Sequence, residues 1–282
     1  MIAEAISRIE EKESMENVAL KYHIPDNAIY VIVNKDFSYK IISKERFSFN
    51  SKFVAMDFYS RIINTNKAVD KKKLISSNNY LTFFCSNFEK LTEEIIDNYY
   101  SRAQTPEESL IYRDWIKENI FKIYEEVRQE NKKGKIKIKV FFKVDLKEYI
   151  KLNNLYLEQF TLSNVEEFDK ELFGNSSFIN LNNKKPFLKT YSRKITNPYA
   201  INMEEGIKHK YFADMLYSFL RRGKTLLYIL EDGTLIPLDL ASGEVAERDI
   251  INGLIISFGL NSRGNLIINH MDVAIRYNYY LK

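Results

Sequence analysis

Residues Lys135–Phe142 read KIKIKVFF, in which lysine and apolar side chains alternate at first. Successive side chains of a β-strand point to opposite faces of the sheet, so the pattern predicts a strand with Lys135, Lys137 and Lys139 on one face. These lysines would stand about 6.6 Å apart, a spacing that could follow the phosphates of a nucleic-acid strand. The pattern is equally typical of an edge strand that lysine protects from pairing with another sheet.

The segments on either side of this strand are predicted to be helical. Before it, Thr105–Glu108 (TPEE) combines a threonine N-cap, a proline at the first helical position and a glutamate at the third. This helix should run to about Asn131, and its predicted core residues are Trp115, Ile116, Ile120, Ile123 and Val127. After the strand, residues 145–160 and 164–173 are predicted to form two acidic helices.

Three pairs of apolar segments are predicted to form antiparallel β-hairpins. The pairs are 28–34 with 39–42, 225–231 with 234–240, and 254–259 with 266–275. Asp232-Gly233 is the strongest of the turn signals, because both residue types tolerate the positive φ of a tight hairpin turn. Further helices are predicted at 2–20 and after Asn202. We therefore expect an α+β fold of mixed helices and antiparallel β-hairpins.

The order of these elements predicts two parts that pack as one globular unit. Residues 1–175 form the amino-terminal α+β part, and residues 176–282 supply a basic connector, a helix and two hairpins. A hydrophobic content of 45% in 282 residues is enough for a proper core. The net charge of +4 is too small to indicate a nucleic-acid partner by itself, but residues 131–143 hold six lysines and no acid. Such segregation makes one basic face plausible.

Composition also excludes several classes of protein. The one cysteine, Cys85, excludes an internal disulfide framework and a cysteine-based zinc site. No stretch approaches the roughly 20 apolar residues of a membrane span, and the acidic amino terminus does not resemble a signal peptide. We expect a cytoplasmic protein without a membrane partner. Because no motif has catalytic or metal-ligand spacing, we expect no enzymatic activity, metal or cofactor.

The most basic stretch with interleaved aromatics is Asn182–Tyr199, NNKKPFLKTYSRKITNPY. Its basic residues are Lys184, Lys185, Lys189, Arg193 and Lys194, and its aromatic residues are Phe187, Tyr191 and Tyr199. Lysine and arginine beside aromatic rings are typical of proteins that bind single-stranded nucleic acid. A solvated linker between two structured parts is the alternative interpretation.

Two other segments carry candidate nucleic-acid contacts. Lys71, Lys72 and Lys73 are adjacent, which favours a loop or helix end that wraps a phosphate backbone. The amides of Asn78 and Asn79 could read base edges, or they could cap the backbone of a turn. Arg263, at the predicted tip of the last hairpin, could reach a phosphate.

These stretches also carry a family resemblance. The first matching run contains Tyr59-Ser60, Asn66-Lys67 with Asp70, Lys72 and Lys73, and Ser77 to Leu81. The second contains Lys184 to Leu188, Ser192 to Lys194, and Pro198-Tyr199 before a long helix. In this order the two runs resemble the large subunit of the type I-B CRISPR effector complex, Cascade. That family continues into a helical carboxy-terminal region, so the chain resembles its amino-terminal portion.

The resemblance implies a function in antiviral defence. It implies assembly with guide RNA and the other Cascade subunits, and recognition of the protospacer-adjacent motif on target double-stranded DNA. It also implies help in opening that duplex and recruitment of the helicase-nuclease. Three alternatives remain open: a subunit that binds only the guide-RNA end, a pure scaffold, and a metal-dependent nuclease whose acidic residues converge in the fold.

Overall fold

The structure is a computed structural model that describes residues 2–62, 68–130, 136–161, 172–174, 200–244, 252–262, 264 and 266–274. The chain divides into two compact units. The central unit is Ile24–Thr161, and the terminal unit combines Met1–His23 with Leu162–Lys282. The sequence predicted a division at residue 175. The structure instead groups the first 23 residues with the carboxy-terminal part of the chain.

The elements are named in chain order. The helices are α1 (Ile2–Glu10), α2 (Met15–Tyr22), α3 (Lys44–Ser48), α4 (Ser51–Tyr59), α5 (Glu93–Arg102), α6 (Ile111–Glu130), α7 (Leu146–Thr161) and α8 (Met203–Leu220). The strands are β1 (Ile29–Val33), β2 (Tyr39–Ile42), β3 (Thr82–Cys85), β4 (Ile138–Phe142), β5 (Leu172–Gly174), β6 (Ala200–Asn202), β7 (Leu226–Leu230), β8 (Leu235–Leu238), β9 (Gly253–Leu260) and β10 (Leu266–Ala274). The fold is therefore mixed α+β.

The central unit is built on a four-stranded sheet with the order β2-β1-β4-β3. The hairpin of β1 and β2 is confirmed, and β4 is the strand predicted from the alternating lysines. β4 runs parallel to β1, which a long connection through several helices permits, and antiparallel to β3. The edge-strand interpretation of 135–142 is therefore wrong, because β4 is paired on both sides.

Aromatic side chains pack on both faces of this sheet. On one face, the ring of Phe47 from α3 stacks 3.9 Å from that of Tyr30 and lies 5.2 Å from that of Phe141. On the other face, Trp115 of α6 contacts Phe142, with ring centroids 5.4 Å apart. The five predicted core residues of α6 are all buried, as expected.

Two predicted helices differ from the observed ones, and a third falls mostly outside the described residues. The helix predicted from Thr105 begins at Ile111, because Glu107–Ser109 forms a separate 3₁₀ turn. The helix predicted at 2–20 is two helices, and the hydroxyl of Ser14 caps the second by accepting from the backbone N–H of Asn17. The helix predicted at 164–173 lies outside the described residues, except that 172 and 173 belong to β5.

The terminal unit contains a second four-stranded sheet, with antiparallel order β10-β9-β7-β8. Both predicted hairpins of this region are confirmed. Gly233, in the turn between β7 and β8, has a φ of +74° and lies against α1, where an added Cβ would be 2.5 Å from the carbonyl oxygen of Arg8. Helices α1 and α2 pack against α8. Among the described residues, no helix combines the length and apolar character needed to cross a membrane.

Candidate nucleic-acid interface

The three adjacent lysines lie in a turn that a buried carboxylate holds; residues 70–75 are called the lysine loop. Asp70 is buried, and its two carboxylate oxygens accept backbone N–H groups of Lys72 (2.9 Å), Leu74 (2.7 Å) and Ile75 (3.1 Å). The backbone N–H of Lys73 donates to the carbonyl of Asp70, and Lys73 has a φ of +59°. Because the carboxylate fixes the backbone, the lysine side chains are held at the surface.

The lysines of this loop are exposed. Lys71 and Lys72 form no ion pair with any residue that the structure describes. Exposed ammonium groups on a fixed turn suit contact with phosphate oxygens, which requires charge but no particular base sequence.

Asn78 and Asn79, which follow the lysine loop in the chain, are buried, with exposed fractions of 4% and 1%. The amide nitrogen of Asn78 donates to the carbonyls of Tyr59 and Arg61, both at 3.1 Å, and to the side chain of Asn153 at 3.2 Å. The amide nitrogen of Asn79 donates to the hydroxyl of Ser60 at 3.1 Å and to the side-chain oxygen of Asn78 at 2.8 Å.

The structure thus favours the turn interpretation of these asparagines over base reading. The side-chain oxygen of Asn79 accepts from the backbone N–H of Leu81 and from the hydroxyl of Thr82. Contact of either amide with a base edge would require several buried hydrogen bonds to break, and a buried polar group without a partner costs about 1–3 kcal/mol. Hydrogen bonds from these asparagines connect the segment that follows the lysine loop to the end of α4.

A tyrosine of α5 completes this network. The hydroxyl of Tyr99 donates to the carbonyl oxygens of Asn79 and Thr82 and lies 2.8 Å from the hydroxyl of Ser77. Burial raises the pKa of Tyr99 far above its ordinary value, so the hydroxyl stays protonated as a donor. Sequence inspection did not identify Tyr99, because its partners are distant in the chain.

The lysines of β4 do not form a surface row. Lys139 is 1% exposed, and its ammonium lies 2.6 Å from a carboxylate oxygen of Asp57 and 3.0 Å from one of Asp26. Lys137 also pairs with Asp26, at 2.7 Å. These four residues are called the buried lysine network. The interpretation of Lys139 as a phosphate contact is therefore wrong, and Lys135 lies outside the described residues.

The buried lysine network joins α4 to the sheet. Asp57 is fully buried, and the ammonium of Lys139 also lies 4.6 Å from the ring centroid of Phe84. Burial by itself would raise the pKa of Asp26, but the charges of Lys139 and Lys137 outweigh it and hold the pKa well below its ordinary value. Val140, Phe141 and Phe142 end β4 as a continuous apolar run. Such a run, without alternation, indicates a strand that is buried on both faces.

Six predicted site residues lie outside the described residues: Lys184, Lys185, Lys189, Arg193, Lys194 and Arg263. The structure therefore adds nothing to their predicted role. Of the residues in the first matching run, Asp70 fixes the backbone of the lysine loop, and the side chains of Ser60 and Asn79 hydrogen-bond to each other.

The residues with metal-binding or nucleophilic chemistry are dispersed. Within the described residues, no group of three or more His, Cys, Asp or Glu side chains is arranged to hold a metal ion. His23 is the C-cap residue of α2, His209 is buried in α8, and His270 is exposed. Cys85 is buried in β3, and burial raises the pKa of its thiol to about 11, which keeps it protonated at neutral pH.

Comparison of the chain with protein-family models, with curated proteins and with solved structures finds no match.

Proposed function

We propose that the chain is a nucleic-acid-binding large subunit of a type I-B Cascade complex and contacts nucleic-acid phosphates through Lys71, Lys72 and Lys73. The observation that carries the proposal is the lysine loop itself, in which one buried carboxylate fixes a turn with three exposed lysines. Residues that resemble the family's first run supply both the loop and the buried contacts below it. The backbone that carries the lysines is thus fixed before any ligand arrives, which lowers the entropic cost of binding.

In this function the protein and the guide RNA divide the recognition of target DNA. Base pairing with the guide reads the long target sequence, and the protein reads the short flanking motif and the phosphate backbone. The subunit would recognise the protospacer-adjacent motif on duplex DNA, help to open the duplex and recruit the helicase-nuclease. It would perform no chemistry itself, and its partners would be guide RNA and the other Cascade subunits in the cytoplasm.

One observation favours a second candidate function. Asn78 and Asn79, the predicted base readers among the described residues, are buried and hydrogen-bonded. The lysine loop alone would grip phosphate without reading sequence. Phosphate contact of this kind would be sufficient for a subunit that binds the guide-RNA end and does not recognise target DNA directly.

Binding to duplexes with and without candidate flanking motifs, measured across a salt series, tests the proposal. The chain is assayed alone and in its guide-RNA complex, with Lys71→Ala/Lys72→Ala/Lys73→Ala against the wild type. The matched control removes three exposed lysines elsewhere, Lys21, Lys90 and Lys122. We expect the loop variant to weaken duplex binding and to reduce the salt slope by up to about 3, because each phosphate contact contributes about 0.9. The control should change neither.

The outcomes separate the candidate functions. Motif-dependent binding that the loop variant loses supports recognition of duplex DNA. Loss of guide-RNA binding without any duplex binding supports the RNA-end function. Equal binding by the loop variant and the control contradicts the assignment of the loop. Cleavage of labelled DNA or RNA in a magnesium titration would support the nuclease alternative instead.

A further inference from the structure

The central unit has an open cleft of about 580 Å³ at one end of its sheet. β1 and β4 are parallel, so their carboxyl ends lie at the same edge, and the cleft is lined by residues that follow both strands. The backbone N–H of Lys143, directly after β4, donates to the carbonyl of Val33 at the end of β1. Carboxyl ends of parallel strands are common sites for ligands.

Three lysines from separate elements line this cleft, which is called the lysine cleft. Lys35 lies in the turn between β1 and β2, Lys52 in the first turn of α4, and Lys143 after β4. All three are exposed. None of them forms an ion pair with a residue in the described part of the chain.

The two aspartates of the lysine cleft accept hydrogen bonds from residues two positions later in the chain. Asp36 accepts from the backbone N–H of Ser38 at 3.1 Å and from its hydroxyl at 2.6 Å. These hydrogen bonds lower the pKa of Asp36. Asp145 accepts from the backbone N–H of Lys147, in the first turn of α7. Three lysines against two aspartates leave the cleft with an excess of positive charge.

A highly exposed aromatic side chain lies close to the lysine cleft along the chain. Phe49, between α3 and α4, is 90% exposed, which is the highest value among the described large hydrophobic residues. It precedes Lys52 by three residues, so their Cα atoms are at most about 11 Å apart. The side chain of Asn50 fixes this junction by accepting from the backbone N–H groups of Lys52 and Phe53. Packing in the core does not explain an aromatic side chain at this exposed position, whereas stacking on a ligand would explain it.

We infer that the lysine cleft and Phe49 form a binding site for a single strand of nucleic acid, with phosphates at Lys35, Lys52 and Lys143 and a base on Phe49. Positive charge that tracks the backbone, together with an aromatic face, is the chemistry that recognises single strands without sequence preference. A duplex would offer the phosphates but would keep its bases stacked away from Phe49.

This inference goes beyond the proposed function, because the lysine cleft and the lysine loop lie at opposite ends of the central sheet. Ile75, at the end of the lysine loop, forms a β-bridge with Cys85, which is opposite Ile138 at the amino end of β4. The lysine cleft lies at the carboxyl end of the same strand. Each site can therefore be removed without the other.

The test is binding of the full chain to fluorescent dT20 and U20 across a salt series. For Lys35→Ala/Lys52→Ala/Lys143→Ala we expect affinity to fall at least 10-fold and the salt slope to fall by about 2, since each single-strand phosphate contact contributes about 0.7. The control variant without Lys21, Lys90 and Lys122 should bind as the wild type does. The lysine-loop variant keeps the lysine cleft and Phe49, so the difference between its affinities for dT20 and for an abasic oligonucleotide of equal charge should match that of the wild type. This base-dependent difference makes the test independent of the proposed function.

Phe49→Ala tests the base contact. We expect its affinity for dT20 to fall about 5-fold or more, while its affinity for an abasic oligonucleotide of equal charge stays unchanged, because stacking needs a base. The RNA and DNA arms show whether the site prefers one sugar. Circular dichroism of each variant checks that the exposed substitutions leave the fold intact.

Three results would overturn the inference. The first is the absence of single-strand binding by the wild-type chain at any salt concentration. The second is an equal loss of binding in the lysine-cleft variant and the control, which would mean that only total charge matters. The third combines two observations. The Phe49→Ala variant binds dT20 as tightly as the wild type does, and polyglutamate of equal charge displaces dT20 from the wild type. That outcome would assign the cleft to an acidic protein.

Discussion

The lysine loop and the buried lysine network place the same side chain in opposite environments within one unit. In the lysine loop, a buried aspartate binds backbone N–H groups, and the lysines remain at the surface. In the buried lysine network, the aspartates bind the ammonium groups themselves, and Lys139 is 1% exposed. The group that the carboxylate binds therefore decides whether the neighbouring lysine side chain is drawn into the interior or stays exposed.

The largest effect is expected in the buried lysine network, where substitution of a lysine should lower the free energy of unfolding. Lys139→Met leaves Asp57 as a buried carboxylate without its 2.6 Å partner. We expect a loss of about 3–5 kcal/mol in the free energy of unfolding, because removal of one partner strands the other charge in the interior. Urea unfolding followed by fluorescence measures this loss, since Trp115 is the one tryptophan of the chain and lies in the central unit.

A double variant checks the cause of that loss. Lys139→Met/Asp57→Leu removes both charges, and its free energy of unfolding should recover most of the loss. A single-variant loss below about 1 kcal/mol would contradict the assignment of a buried ion pair, since that is the range of exposed pairs.

A smaller effect is expected when the carboxylate of the lysine loop is removed. Asp70→Ala leaves the backbone N–H groups of Lys72, Leu74 and Ile75 without their acceptor, and we expect a loss of about 1–3 kcal/mol. Hydrogen exchange should become faster at these three amides, and nucleic-acid binding should weaken although every lysine is retained. Asp70→Asn keeps one acceptor oxygen, so its free energy of unfolding should lie between those of Asp70→Ala and the wild type. Unchanged exchange would show that the turn does not depend on Asp70.

The smallest expected effect is a pH dependence from the exposed end of the buried lysine network. Lys139 and Lys137 hold the folded-state pKa of Asp26 below its ordinary value of 3.8, despite burial that would raise it. The contribution of Asp26 to stability is therefore present above about pH 4 and is lost as pH falls through the folded-state pKa. Asp26 is 37% exposed, so we expect this contribution to be about 1 kcal/mol or less after solvent screening.

Unfolding free energies between pH 6 and pH 2 measure this contribution. Asp26→Asn should be less stable than the wild type at pH 6, and the difference should narrow as the pH approaches 2. Glu118→Gln removes an exposed carboxylate from α6 and serves as the charge-matched control. A constant difference across the whole range would show that Asp26 contributes through packing rather than through its charge.

Local sequence patterns predicted the elements better than they predicted the site. The hairpins of β1 with β2, β7 with β8, and β9 with β10 are confirmed, because alternation and turn chemistry act over a few residues. The buried residues of α6 follow its helical period for the same reason. The predicted role of 182–199 stays a prediction, since those residues lie outside the described part of the chain.

Sequence patterns alone were enough to predict the three hairpins and the buried face of α6, and they favoured a loop or helix end at Lys71–Lys73. The environment of each lysine depends on contacts between residues that are far apart in the chain. Asp57 and Lys139 are 82 residues apart, and they meet because β4 enters the centre of the sheet and α4 covers it. Tyr99 reaches the carbonyl of Asn79 across 20 residues in the same way. Such contacts depend on strand order and helix packing, which no local period encodes. Lysines with similar sequence surroundings therefore differ in burial and in their partners.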